Sequence, residues 1–125
     1  MAENMTNLVL SKQATEIANK MKDTGKFPDA LVAAKFGMAY AIKYYWDEID
    51  SSEKLRELDG IYDAQGNHYN IGSVDPDKYI SQIMEALYPD SDTPYKFARV
   101  LMCYGLNQLG DLLEDGKLFH INNYM

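Results

Sequence analysis

The sequence predicts a mainly α fold: a short N-terminal strand, four to five helices and a small β-hairpin in one compact domain. Two observations lead there. Apolar residues recur at helical spacing along most of the chain, with serine, proline and glycine standing where helices begin and end. The 125 residues suit a single core, and 46% hydrophobic content with ten tyrosines is enough to fill one and too apolar for a disordered chain.

Residues 1–46 form a strand-helix-helix unit. Leu8-Val9-Leu10 is the strand. Ser11 is placed to cap a helix running to Thr24, because its hydroxyl can accept from an amide that has no partner within the helix. Ala14, Ile17, Ala18 and Met21 make its narrow apolar face, and Gly25 ends it. Pro28 suits the first turn of the next helix, which runs to Trp46. Leu31, Ala34, Met38, Ile42 and Tyr45 form one stripe there, and Val32, Phe36, Ala39 and Tyr40 widen it. An apolar surface this broad predicts a central helix buried on several sides.

Residues 47–60 read as an acidic connection, although Leu55 and Leu58 have the spacing of a short helix. Residues 61–125 then hold the hairpin, two helices and a tail. Ile61-Tyr62 and Tyr69-Asn70-Ile71 flank a turn containing Gly66-Asn67, which predicts that these two segments pair. Asp75-Pro76 opens a helix with Ile80, Ile83, Met84 and Leu87 on one face, closed by Pro89. Asp92-Thr93-Pro94 opens the longest one, with Phe97, Val100, Leu101, Tyr104 and Leu109 inward. Gly105 in its middle costs ~1 kcal/mol relative to alanine, so another backbone is expected to pack closely there. Gly116 reads as its C-cap and Leu118 to Met125 as a docked tail.

The net charge of −7 is unevenly spread. Residues 12–46 carry six lysines against three carboxylates, whereas residues 47–125 carry six basic and fifteen acidic residues. Opposite-sign halves can attract each other within the fold or offer different surfaces to different partners. No apolar run approaches the ~20 residues that span a bilayer. The single cysteine, Cys103, excludes an internal disulfide, and a reducing cytoplasm is the expected location.

No catalytic constellation, cofactor motif or metal-ligand spacing is present, so no catalytic, cofactor or metal residue is assigned and no activity is expected. His68 and His120 lack the spacing of a metal pair. Asp63, Gln65, Asn67 and Asp75 lack the pattern of a calcium loop. Cys103 lies on an apolar helix and reads as a buried thiol. Candidate contacts with DNA or a partner are Asn7, Lys12, Lys20, Lys22 and Lys26, because phosphate or carboxylate recognition needs such mobile cations. Asp47, Glu48, Asp50, Glu53, Glu57 and Asp59 form a candidate acidic partner surface. Tyr40, Tyr44, Tyr45 and Trp46 read as a mostly structural cluster, with protein docking as the alternative.

Two segments carry a resemblance. Lys26-Phe27-Pro28-Asp29-Ala30-Leu31-Val32-Ala33-Ala34-Lys35-Phe36-Gly37-Met38 and Pro94-Tyr95-Lys96-Phe97-Ala98-Arg99-Val100-Leu101-Met102-Cys103-Tyr104-Gly105-Leu106 resemble segments of small accessory proteins of bacterial DNA phosphorothioation (Dnd-type) defence systems. The strand-helix-helix start also resembles the ribbon-helix-helix plan of the DNA-associated subunit. The resemblance implies a non-catalytic accessory protein of a prokaryotic DNA-modification or antiviral defence complex, working by protein–protein contact. Two alternatives stand beside it. One is a ribbon-helix-helix regulator, a homodimer paired through Asn7–Leu10 that binds DNA. The other is an acidic phage-encoded inhibitor that imitates DNA. No membrane partner is expected.

Overall fold

Residues 7–90 and 94–114 are described by a computed structural model of the chain, with side chains through residue 112. The order of elements is β1 (Asn7–Val9), α1 (Lys12–Asp23), α2 (Ala30–Tyr44), α3 (Trp46–Ile49), α4 (Ser52–Asp59), β2 (His68–Asn70), α5 (Ile71–Val74), α6 (Tyr79–Leu87) and α7 (Pro94–Glu114). The class is mainly helical with one two-stranded antiparallel sheet, as the sequence predicts. Among the described residues there are seven helices rather than four or five. The C-cap at Gly116, the docked tail, His120 and the Asp92-Thr93 start lie outside the described residues.

The first two helices begin where their caps place them. Ser11 Oγ accepts from the Ala14 amide at 3.1 Å, and Asp29 Oδ1 accepts from the Val32 amide at 2.8 Å. Pro28 therefore stands one residue before the cap of α2 rather than in its first turn. Gly25, at φ 82°, takes the left-handed turn that ends α1, a conformation a residue with a Cβ adopts at a cost.

Helix α7 is the centre of the molecule, and α1, α2, α4, α6 and β1 all pack on it. Its inward residues Phe97, Val100, Leu101, Met102, Leu106 and Leu109 are fully or almost fully buried. The closest approach is to α2. A Cβ on Gly105 would stand 1.8 Å from the Gly37 carbonyl oxygen, so the expected close packing of backbones is present. The two glycines let the helix axes come together in a way no side chain would allow.

Three expectations need correction. First, the hairpin does not form between Ile61-Tyr62 and Tyr69-Ile71: β2 pairs with β1, with Leu8 opposite Tyr69. The pairing continues beyond the strands through Leu10 N to Asn67 O (3.1 Å) and Gly66 N to Leu10 O (2.9 Å). Leu8 and Leu10 are fully buried and give β1 an inward face, whereas Ile61 is 72% exposed. Burial chose the partner, not proximity in sequence. Second, residues 47–60 are no mere connection. They contain most of α3 and all of α4, because Ile49 and Leu55 enter the core and Ser51 Oγ caps α4 at the Lys54 amide. Third, α2 is not buried all round. Ala33, Ala34, Gly37, Met38, Tyr40 and Ala41 face inward, while Val32 and Ala39 are exposed.

Candidate docking surfaces

The residue types that carry chemistry are largely engaged in holding the fold. Cys103 is fully buried, and burial pushes its thiol pKa up. Asp75, also buried, caps α6: Oδ1 accepts from Ile80 N and Oδ2 from Ser81 N, both at 3.0 Å, and Oδ2 accepts from the Tyr95 hydroxyl at 2.9 Å. Asp63 Oδ1 accepts from the Gln65 and Lys12 amides, each at 2.9 Å, and these bonds hold its carboxyl below the usual carboxylate range. Gln65 and Asn67 give their amides to Asp63 and Thr15, so the four oxygen-bearing residues do not converge on one point. His68 is exposed on β2, opposite Val9.

Arg99 is the residue sequence reasoning undervalued. One helical turn before Cys103, it was weighed only as a neighbour of the thiol. It is 6% exposed and joins four segments. Nε donates to the Val9 carbonyl at 2.6 Å, Nη1 to Asp59 Oδ1 at 3.0 Å, and Nη2 to the carbonyls of Tyr62 and Asp63. A planar fork with five donors suits such a junction, which lysine does not reproduce. A lone arginine on an apolar helix face was the available signal.

The candidate contact residues fall as follows. Asn7, Lys12, Lys20, Lys22 and Lys26 are all exposed, the lysines on the outer side of α1 and its exit. Among the described residues none of these four lysines is in an ion pair, but Glu16 and Asp23 stand exposed among them. The strand that a ribbon-helix-helix dimer would pair between copies is already paired with β2, and Arg99 takes its Val9 carbonyl. On the acidic side, Asp47, Glu53 and Glu57 are exposed. Asp50 pairs with Lys54 at 2.9 Å, raising the Lys54 pKa, and Glu48 accepts from the Tyr104 hydroxyl. Asp59 turns inward to Arg99, with Lys96 Nζ 3.8 Å from its other oxygen. The six acids therefore do not act as one surface.

The surface that no sequence argument singled out is the outer side of α2. At 100° per residue, Leu31, Ile42, Lys35, Ala39, Val32, Lys43 and Phe36 fall in that order across one side of the helix. Val32, Ala39 and Lys43 along its middle are exposed, and the others are half-buried at its margins. Lys35 and Lys43 are the only charged residues in the helix. A line of rings runs along one margin: Phe27 to Phe36 at 5.4 Å, Phe36 to Tyr40 at 6.3 Å, and Tyr40 to Tyr44 at 5.0 Å. Lys43 Nζ lies 5.2 Å from the Tyr44 ring centre. A shallow hollow of about 430 Å³ opens at the C-terminal end, lined by Lys43, Tyr44, Tyr45, Trp46, Asp47 and Glu48.

Fold and surface together define a small helical protein with an uncovered apolar, lysine-bearing helix face. No protein-family model, curated protein or solved structure matches the chain. Among the described residues no helix is long and apolar enough to cross a membrane, and no three His, Cys, Asp or Glu residues form a metal-binding group.

Proposed function

We propose that this chain is a non-catalytic accessory protein that acts through protein–protein contact, with the outer side of α2 as its working surface. One observation carries the reading. A helix apolar on every side is covered on only part of its circumference, leaving Val32 and Ala39 in water between two lysines. Scattered apolar surface residues need no explanation, but a contiguous apolar helix side rimmed by charge is the ordinary form of a docking face. The engagement of Cys103, Asp75 and Arg99 in the core, a cap and a backbone junction supports the same reading. Placement in a prokaryotic DNA-modification or antiviral defence complex is part of the proposal and rests on the resemblance of the two segments alone.

The native thiol is buried, so Ala39→Cys supplies the one readily reactive cysteine among the described residues. A short thiol-to-amine crosslinker attached there is expected to capture a protein when the chain is co-expressed with the products of adjacent genes. Capture of nucleic acid by a photoreactive version of the same probe, or of nothing by either, overturns the reading.

A further inference from the structure

A second uncovered apolar face lies on α6. Ile80 and Met84 turn into the core, whereas Tyr79 is 66% and Ile83 42% exposed. Ala86 is exposed beside them and Leu87 is half-buried. Ile83 was expected on the inward face with Ile80, Met84 and Leu87; it sits on the opposite side. Helix α6 thus has two apolar sides and a core contact for only one.

The two uncovered faces match each other in spacing, size and charge. Val32 and Ala39 are seven residues apart, and so are Tyr79 and Ala86, a rise of ~10.5 Å in each helix. Small Ala39 leaves a gap between Val32 and Lys43 that a side chain the size of Ile83 fills, in the manner of ridges entering grooves. The only charges within α2 are Lys35 and Lys43, and the only charge within α6 is Glu85. Asp77 and Lys78, adjacent ahead of α6, offset each other. Both helices pack on α7 by their buried sides, leaving the two faces uncovered in a single copy.

We infer that the occupant of the α2 face is α6 of a second copy of this chain. The inference rests on the docking reading above and names its partner. The contact joins unlike surfaces, so two copies exchange it reciprocally about a two-fold axis and close. This differs from the strand-paired dimer, whose pairing edge is taken within the chain.

The test is sedimentation of the purified chain across concentration, with Ala39→Asp, Ile83→Asp and an equimolar mixture of the two. Both positions are exposed, so helicity and Tm are expected to stay near the parent values. The parent is expected to self-associate, and each variant alone to dissociate at least about tenfold more readily. The mixture is expected to recover a heterodimer, because one variant keeps an intact α6 face and the other an intact α2 face. A monomeric parent, association indifferent to both substitutions, or a mixture no better than its components overturns the inference. A monomeric parent whose A39C derivative still crosslinks to a different protein overturns the α6 assignment and leaves the docking reading in place. Loss of both sinks both.

Discussion

Arg99 concentrates more of the fold in one side chain than any other described residue. Its guanidinium satisfies the carbonyls of Val9, Tyr62 and Asp63 and the carboxylate of Asp59. Replacement by methionine leaves these acceptors without a donor and strands a carboxylate that is still 24% exposed. We expect Arg99→Met to cost about 3 kcal/mol, at the low end for breaking a buried pair because water reaches Asp59. Arg99→Lys keeps the charge but not the fork, and should recover only part of that loss in urea denaturation. Alkaline pH probes a second set of single residues. Burial raises the Tyr62 pKa from 10.0 to about 12, with the neighbouring Cys103 adding to the rise; burial, with Asp50, does the same for Tyr88. A phenol whose folded pKa lies above its unfolded value stabilises the fold fully below pH 10. That contribution is lost as pH rises from 10 toward about 12, because the unfolded chain then releases the proton more readily. Stability is therefore expected to fall over that interval, and Tyr62→Phe should flatten the decline when Tm is followed against pH.

At the scale of elements, the crossing of α2 and α7 depends on two residues without side chains. Gly105→Ala gains ~1 kcal/mol of helix propensity but drives a methyl into the Gly37 carbonyl. Overpacking against backbone costs ~1–3 kcal/mol and sometimes more, and here the obstacle is rigid. A net loss of about 2 kcal/mol is expected, read as a drop in Tm. Gly60→Ala, where a Cβ would meet nothing closer than 3.5 Å, should be near neutral and serves as the control. The glycine contact was legible in the sequence because a mid-helix Gly105 needs a reason. So were α1 and α2, whose caps Ser11 and Asp29 announce them. The pairing of β1 was not legible, since Leu8 and Tyr69 are drawn together by a core assembled from the whole chain. Helices α3 and α4 were hidden by their charges, with Ile49 and Leu55 too few to outweigh seven acidic and basic neighbours until a core exists to receive them. The docking surfaces were half legible. Periodicity placed Lys12, Lys20 and Lys22 outside, but it assigned Val32, Ala39 and Ile83 to the interior. Hydropathy marks which side chains prefer burial without saying which of a helix's apolar sides finds a neighbour.

The molecule as a whole is organised around α7, with helices on several sides and the small sheet at one edge. Burial is densest from Phe97 to Leu106, where residues are packed by α2, α1, α4 and α6. Native-state hydrogen exchange should accordingly be slowest for amides in that stretch and in α2 opposite it. The one-turn helices α3 and α5 should exchange orders of magnitude faster, since each has a single buried side chain, Ile49 or Val74. Uniform protection across all seven helices would contradict a centre built on α7.

The pairing of β1 also sets a timetable for biosynthesis. Leu8 meets Tyr69, and the Val9 carbonyl waits for a side chain that the ribosome adds 90 residues later. The opening third of the polypeptide therefore emerges with its first strand unmatched and its first helices lacking their central support. Native structure arrives near the end of translation as a single late event, and until then the nascent chain exposes Leu8 and Leu10 to whatever chaperones attend the exit tunnel.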